Sequence, residues 1–140
     1  MDFKLFKGRL IDAERGNNIK IKIMMQEDKE LLLKDLCARL PYGVIILDRN
    51  GIHKLSVDNT EFTDLFAGKC KYIKPYLRPM SSMTEEERTE YLNACGNEMD
   101  NPLSSPRYSG INWLNKNMFD YRGLIPKGLA IEVTKSNNPY

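Results

Sequence analysis

A short stretch at residues 69–78, KCKYIKPYLR, combines cationic side chains with aromatic rings. If this stretch is extended, alternate side chains lie on the same face. One face then carries a stripe of two tyrosines and two cations: Tyr72, Lys74, Tyr76 and Arg78. Rings stack on bases and cations contact phosphates, which is the combination that binds a nucleotide or a single-stranded nucleic acid. The other face is apolar enough to pack on a core.

The residues around this stripe favour a strand at the edge of a sheet. Pro75 and Pro79 donate no hydrogen bond to a neighbouring strand, which is best tolerated at an edge. The glutamates Glu85 to Glu87 match the first turn of a helix, where acids complement exposed N–H groups. The stripe is therefore either one wall of a ligand site or a charged, solvated edge that resists aggregation.

A second group of cations and rings comes late in the chain. SSPRYSG supplies Arg107 and Tyr108, and FDYRG supplies Arg122. These side chains could close a site against the stripe, within one chain or across an oligomer interface. Arg122 has a structural alternative, which is an ion pair with Asp120 or with a glutamate of another helix. Three aromatic residues of the same region could anchor a homo-oligomer or another protein interface: Trp113, Phe119 and Tyr121.

Residues suited to catalysis are scarce. His53 is the one histidine, and a lone histidine on a strand is typically structural or solvated. The chain has no HExxH, CxxC, GxSxG, P-loop or GxGxxG motif, and no acidic cluster at EF-hand spacing. The cysteines Cys37, Cys70 and Cys95 are widely spaced and odd in number, which favours structural thiols over disulfides. We therefore expect a non-enzymatic protein with no metal and no cofactor.

The composition bounds the class of protein. A chain of 140 residues typically forms one domain and buries roughly two thirds of its unfolded surface. The net charge of +2 is too small to indicate nucleic-acid binding by itself. The N-terminus lacks the apolar core of a signal peptide, and runs such as YGVIIL are too short to span a bilayer. These features, with the unpaired cysteines, predict a single domain over residues 1–140 in the reducing cytoplasm.

Periodicity places the elements of the N-terminal half. The alternation in IKIKI predicts a β-hairpin within residues 1–24, which could be peripheral to the core. Apolar residues recur at helical spacing over residues 24–40 and predict the first helix. Its expected apolar stripe consists of Leu32, Leu33, Leu36, Cys37 and Leu40.

The middle of the chain contains the clearest local signal. The Asn-Gly pair in DRNG predicts a hairpin over residues 44–57, because both residues tolerate positive φ. The segment from residue 58 to 68 fits either a short helix or a strand. KCKYIKPYL, at residues 69–77, predicts the third strand.

Capping and spacing place the C-terminal half. Thr84 and Glu87 have the spacing of a capping box and predict a helix that begins there. Turn-forming residues predict a long surface loop over residues 96–110, and helical spacing predicts a helix over residues 111–125. PKGLAIEV adds a short last strand, and residues 134–140 form a flexible tail. Together these elements predict an α+β fold, a small antiparallel sheet with about three helices packed on one side.

Three blocks of the sequence recur together in a known group of proteins: LLLKDLCARLPYGV, IKPYLRPMSSMTEEE and FDYRGLIPKGLAIEV. In these blocks the chain resembles small proteins of no known activity that are encoded by gut anaerobic bacteria, their prophages and their phages. The resemblance covers residues 28–133 and does not include the stretch before the first helix. It implies a cytoplasmic accessory protein associated with phages or mobile elements.

The leading hypothesis combines this context with the stripe. Small phage accessory proteins generally act by binding, so we expect a non-enzymatic protein that binds an anionic, nucleotide-like ligand and could sequester a host defence signal. The arginines would contact phosphate while the tyrosines stack on a base. One alternative is an adaptor or inhibitor that binds a host protein. The other is single-stranded nucleic acid binding by the same basic face.

Overall fold

The computed structural model describes residues 26–69, 71–96 and 106–140, with side chains from residue 109 onward in the last range. The predicted N-terminal hairpin and residues 97–105 of the loop predicted over residues 96–110 lie outside the described residues, as does Cys70. Residues 106–110 are the start of a helix, so the loop prediction is wrong there.

Four helices and five strands form the described part of the chain. The helices are α1 (Gln26–Arg39), α2 (Thr60–Phe66), α3 (Glu85–Cys95) and α4 (Pro106–Lys116). The strands are β1 (Ile45–Asp48), β2 (Gly51–Lys54), β3 (Ile73–Pro79), β4 (Phe119–Asp120) and β5 (Ile131–Glu132). The predicted α+β class is confirmed, as are the hairpin β1–β2, the third strand and the last strand. The segment that fitted either a helix or a strand is the helix α2.

The strand β3 lies in the middle of the sheet, so the predicted edge position is wrong. β1 pairs with it antiparallel, whereas β4 and β5 pair with it parallel, so the sheet is mixed and the prediction of an antiparallel sheet is wrong. Successive backbone groups of a strand point to opposite edges. Both edges of β3 are used: Arg78 N–H donates to the Met118 carbonyl at 2.7 Å, and the Leu77 carbonyl accepts from Val133 N–H at 2.8 Å. Each partner pairs with only two or three residues of β3, so the ladder does not require an N–H group at every position and tolerates prolines.

Helices contact both faces of this sheet rather than one side. The face of β3 that carries Leu77 packs into one apolar core with residues of α1 and α2. Side chains alternate along a strand, so Arg78 points to the opposite face. There it contacts Glu87 of α3 and the ring of Phe119, on which Trp113 of α4 stacks.

Two charged residues of α1 are fully buried, which the apolar stripe did not predict. Asp35 and Arg39 are 0% exposed, whereas Cys37 of the predicted stripe is exposed. Arg39 Nε donates to Asp35 Oδ2 at 2.9 Å, and its Nη2 donates to the Phe119 carbonyl at 2.6 Å. Arg122 Nη1 donates to the other Asp35 oxygen at 2.7 Å. These three side chains form the charged network, which joins α1 to the chain around β4.

The helix α4 ends at Lys116, so the predicted helix over residues 111–125 is wrong beyond that point. Met118 has a φ of 63°, in the left-handed region that does not continue an α-helix. The carboxylate of Asp120 then accepts two backbone hydrogen bonds from the following turn, each at 2.8 Å. The chain therefore makes a short strand and turns where the spacing of apolar residues predicted a helix.

The predicted capping box is confirmed at the start of α3. Thr84 Oγ1 accepts from Glu87 N–H at 3.1 Å, and Glu87 Oε1 accepts from Thr84 N–H at 3.0 Å. Gly96, with a φ of 73°, ends the helix. The box fixes Glu87 in the position where Arg78 meets it.

Residues 134–140 are held by hydrogen bonds, which differs from the predicted flexible tail. Asn137 Oδ1 accepts from the N–H of Thr134 at 2.6 Å and from its hydroxyl at 2.7 Å. The hydroxyl of Tyr140 bonds to the backbone of β1 and β3. The segment therefore folds back onto the sheet.

Candidate functional site

The predicted stripe on β3 is only partly accessible. Tyr72 is 43% exposed, and its ring centroid lies 5.4 Å from the ammonium of the half-buried Lys74. Tyr76 is only 6% exposed. Its ring therefore has no free face for a base, and the predicted four-residue wall does not form.

Arg78 is engaged inside the protein. Its two terminal nitrogens donate to the two oxygens of Glu87 at 2.8 Å each, and its guanidinium lies 4.1 Å from the Phe119 ring centroid. The hydrogen bonds from Arg78 outweigh burial and, with those from Thr84, lower the pKa of Glu87 from 4.5 to about 2. The charge of Arg78 is thus balanced, although its side chain remains 26% exposed.

The second predicted group does not join the stripe through Arg122. That guanidinium pairs with Asp35 in the charged network, and not with Asp120 or a glutamate. Arg78 and Arg122 are therefore each committed to a different carboxylate. The side chains of Arg107 and Tyr108 lie outside the described residues.

The three predicted interface anchors pack against the protein's own interior. Phe119 is 0% exposed, so its assignment as an interface anchor is wrong. Trp113 is half-buried and stacks on it at 5.7 Å between ring centroids. The ring of Tyr121 lies against Arg39 and Arg122, and its hydroxyl donates to Asn115 Oδ1 at 3.0 Å.

A cleft of about 640 Å³ opens beside these residues, and we call it the basic cleft. Its volume lies within the range of roughly 300–1,000 Å³ that is typical of small-molecule sites. The lining residues are Tyr42, Arg78, Ser82, Lys116, Asn117, Met118, Val133, Thr134, Lys135, Asn138 and Tyr140. Of the predicted ligand-binding residues, the cleft includes Arg78.

Positive charge distinguishes this cleft. No aspartate or glutamate occurs among the described residues that line it. Within the described part of the chain, neither Lys116 nor Lys135 has a carboxylate within 4.0 Å. Both lysines are exposed. The cleft therefore offers two uncompensated ammonium groups to a ligand, beside the balanced guanidinium of Arg78.

Separate elements position these cations. Lys116 is the last residue of α4, where a cation also complements the helix dipole. Lys135 follows β5 in the turn that Thr134 and Asn137 close. The two lysines thus reach the cleft from different segments of the chain.

Tyr140 fixes one wall of the cleft through its hydroxyl. The oxygen accepts from Ile45 N–H at 3.0 Å and donates to the Tyr76 carbonyl at 2.8 Å. Enclosure of the phenol end by the protein raises the pKa of Tyr140 to about 12, although the residue as a whole is half exposed. The hydroxyl therefore stays protonated and keeps its donor at neutral pH.

Tyr42 supplies an aromatic surface at the cleft. It ends the one-turn helix Leu40–Tyr42, and Gly43 with a φ of 77° then turns the chain into β1. The residue is 39% exposed. A half-exposed ring of this kind offers a face on which a base can stack.

A second concavity lies at the turn that follows β3 and along α3. It has a volume of about 460 Å³ and is lined by Met80, Ser81, Met83, Glu85, Arg88, Tyr91 and Leu92. Its two charged side chains have opposite signs. This apolar groove therefore shows no preference for anions, and the basic cleft is the better candidate for an anionic ligand.

The single histidine belongs to a hydrogen-bonded group at the β1–β2 hairpin. His53 Nε2 lies 2.9 Å from Asp48 Oδ2, which also accepts from Asn59 Nδ2 at 2.9 Å. Burial alone would raise the pKa of Asp48, but hydrogen bonds from Asn59, Asn50 and His53 lower it below its ordinary value. Of the Asn-Gly pair, Gly51 takes a positive φ of 109° and Asn50 does not. The group ties the hairpin to the N-cap of α2.

The comparisons with known proteins add no relative. No family model, no curated protein and no solved structure matches the chain. Among the described residues, no three His, Cys, Asp or Glu side chains are grouped so that they could hold a metal ion. None of the helices described here has the length and apolar character needed to cross a membrane.

Proposed function

We propose that the protein is a non-enzymatic binding protein that holds an anionic, nucleotide-like molecule in the basic cleft. The observation that carries the proposal is the pair of unpaired lysines, Lys116 and Lys135, in a cleft of about 640 Å³ that no described aspartate or glutamate side chain lines. An anion in the cleft would be attracted by both positive charges.

Each wall of the cleft has a distinct role in this proposal. Lys116 and Lys135 contact phosphate as point charges, since an ammonium binds phosphate without the fork geometry of arginine. Tyr42 stacks on a base or a similar flat ring. Arg78 shapes the cleft and adds positive potential rather than a direct ligand contact, because its own hydrogen bonds are directed to Glu87 and to the Ser82 carbonyl.

The resemblance to phage-associated accessory proteins suggests a biological role for nucleotide binding, which is sequestration. A protein that binds a nucleotide without converting it lowers the free concentration of that nucleotide, which would remove a host defence signal. The ligand should therefore be recovered chemically unchanged after incubation with the protein. A nucleotide that is hydrolysed or rearranged at a rate proportional to the protein concentration would contradict the non-enzymatic part of the proposal.

The first experiment is a thermal-shift screen of the purified chain. Nucleoside mono- and triphosphates, cyclic mono- and dinucleotides, inorganic pyrophosphate and short single-stranded oligonucleotides would be compared at two salt concentrations. A ligand that binds the native state raises the melting temperature, and at equal ligand concentration a tighter ligand raises it more. We expect a rise with one class of nucleotide. A stronger rise with longer oligonucleotides, together with steep salt dependence, would instead indicate single-stranded nucleic acid binding.

Two double variants then test the location of the site by calorimetric titration with the active nucleotide. Lys116→Gln/Lys135→Gln removes the two cleft cations and should weaken binding at least tenfold. The matched control Lys34→Gln/Lys54→Gln removes the same charge from two exposed lysines that do not line the cleft. We expect the control to change the affinity less than twofold. Equal weakening by both variants would show that net charge, and not the cleft, attracts the ligand.

A further inference from the structure

One wall of the basic cleft is a short segment that is fastened at its far end by a single hydroxyl group. We call residues 134–140 the strap. It contributes Thr134, Lys135, Asn138 and Tyr140 to the lining of the cleft. The shape of the cleft therefore depends on where the strap lies.

The fastening point is inside the sheet. β1 and β3 pair in a register that sets Ile46 opposite Pro75. Continuing this antiparallel register by one residue sets Ile45 opposite Tyr76. The hydroxyl of Tyr140 lies between these two residues, accepting from Ile45 N–H at 3.0 Å and donating to the Tyr76 carbonyl at 2.8 Å. One side-chain oxygen thus occupies the position of a direct bond between the strands.

Because the Tyr140 hydroxyl lies between the strands, Ile45 N–H and the Tyr76 carbonyl have two possible hydrogen-bonding arrangements. If the hydroxyl of Tyr140 leaves, Ile45 N–H and the Tyr76 carbonyl can bond directly by extending the β1–β3 ladder. Release then leaves neither group buried without a partner, which is the main cost of breaking a buried hydrogen bond. The strap is therefore held more weakly than its two hydrogen bonds to the backbone would suggest.

The strap is also largely closed on itself. Thr134 and Asn137 bond to each other, and Tyr140 N–H donates to Asn138 Oδ1 at 2.9 Å. Toward the preceding strand, Asn137 Nδ2 donates to the Glu132 carbonyl at 3.1 Å. These bonds can persist while the Tyr140 end moves, so the segment can swing as a unit about the end of β5.

We infer that residues 134–140 are a two-state strap that gates the basic cleft. In the latched state Tyr140 completes the β1–β3 ladder and Lys135 faces the cleft. In the released state the strands pair directly and the cleft is open on that side. The gating rests on the proposed function, because an anion that contacts Lys135 only in the latched state shifts the equilibrium toward that state.

Limited trypsin digestion tests the latch without any ligand. Lys135 lies on the strap and is cut when the strap is released, whereas the exposed Lys127 lies outside the strap and serves as an internal control. Tyr140→Phe removes the hydroxyl and keeps the ring. We expect cleavage after Lys135 to become at least fivefold faster, with cleavage after Lys127 unchanged. Tyr72→Phe, at an exposed tyrosine that does not line the cleft, should leave both rates as they are.

Two results would overturn the latch. One is equal cleavage after Lys135 in the wild-type protein and in Tyr140→Phe. The other is a parallel rise at Lys127, which would show that the variant loosens the whole domain. Backbone hydrogen exchange of Ile45 supplies a second readout. Its amide should stay protected in Tyr140→Phe if the strands pair directly, and should exchange much faster if no second arrangement exists.

Inorganic pyrophosphate, compared with sodium chloride at equal ionic strength, tests the coupling to the cleft. It should slow cleavage after Lys135 at least threefold in the wild-type protein and have less effect in Lys116→Gln. If a nucleotide raises the melting temperature but neither it nor pyrophosphate slows this cleavage, the strap does not gate the ligand site and the inference fails. If no anion raises the melting temperature, the proposed function fails, and the ligand-free digestion still decides whether the latch exists.

Discussion

The charged network and the basic cleft use cationic side chains in opposite ways. In the network, Arg39 is 0% exposed, and Asp35 and backbone carbonyls occupy its donors. In the cleft, Lys116 and Lys135 are exposed and have no carboxylate partner among the described residues. Both regions lie near the end of α4, so their difference does not come from the local charge of the chain.

The difference follows from the cost of burial. A charge removed from water must be paired and hydrogen-bonded, because an unpaired buried charge costs several kcal/mol. The network meets this condition and holds α1 against β4. Exposed lysines keep their hydration and can stay unpaired at little cost. The pair Arg78–Glu87 lies between these limits, since it is complete but partly exposed to the cleft. We therefore expect substitutions to destabilise the protein more, the more deeply the charged side chain is buried.

The largest effect is expected at the centre of the network. Asp35→Ala leaves Arg39 buried without its carboxylate and deprives Arg122 of its partner, so the free energy of unfolding should fall by about 3–5 kcal/mol. Denaturant-induced unfolding measures this loss. Asp28→Ala is the matched control, because Asp28 lies on the same helix and its pair with Lys127, at 4.0 Å, is partly exposed. A loss of under about 1 kcal/mol for Asp35→Ala would contradict a structural role for the network.

An intermediate effect is expected for Arg78–Glu87 and should depend on pH. The pKa of Glu87 is about 2 in the folded protein, below its ordinary value of 4.5. The pair's contribution is therefore fully present above about pH 4.5 and is lost as the pH falls toward 2. It amounts to at most about 3 kcal/mol.

Unfolding of the wild-type protein and of Glu87→Gln should be compared at neutral pH and at several values down to pH 2. The difference between the two proteins should shrink as the pH falls, because the variant has no carboxyl to protonate at this position. The lowered pKa of Asp48 acts in the same direction, but it is common to both proteins and cancels. A constant difference across this range would show that Glu87 acts through packing and not through its charge.

The elements that could be predicted from the sequence are those that short-range rules determine. The capping box needs only Thr84 and Glu87, three residues apart, and the hairpin needs only its turn and two flanking runs. The position of β3 depends on strands far away in the sequence. Prolines indicated an edge, but the short partners β4 and β5 occupy part of β3 on both sides. No local pattern reveals such a partner.

The site was harder to predict than the fold for the same reason. Arg78 was found as part of a stripe, but its partner and its exposure depend on α3 and β4. The other cations of the cleft, Lys116 and Lys135, have no motif around them and meet only because the chain folds back after β5. The buried pair Asp35–Arg39 was missed because charged residues at helical spacing ordinarily indicate a solvated face.

A smaller effect is expected at the cap that positions Glu87. Thr84→Ala removes the hydroxyl that accepts from Glu87 N–H and should cost about 1 kcal/mol of unfolding free energy. Thr89→Ala is the matched control, because the Thr89 hydroxyl only donates to the Glu85 carbonyl within the same helix. Equal unfolding free energies for the two variants would indicate that the Arg78 pair alone fixes the start of α3.

The smallest effect on stability is expected in the cleft. Its size distinguishes a structural role of the two lysines from a role in ligand binding. Lys116→Gln and Lys135→Gln should each change the unfolding free energy by less than about 0.5 kcal/mol, as exposed substitutions usually do. Lys116 also has a possible structural role that must be distinguished from ligand binding. A cation in the last turn of a helix stabilises that helix by about 0.3–1 kcal/mol. A loss near 1 kcal/mol for Lys116→Gln would mean that the helix end, not a ligand, accounts for this lysine. Lys135 cannot stabilise a helix end in this way, because it lies outside any helix of the described chain. If Lys135→Gln leaves stability unchanged and weakens nucleotide binding in the calorimetric titration, the charge at this position serves the ligand rather than the fold.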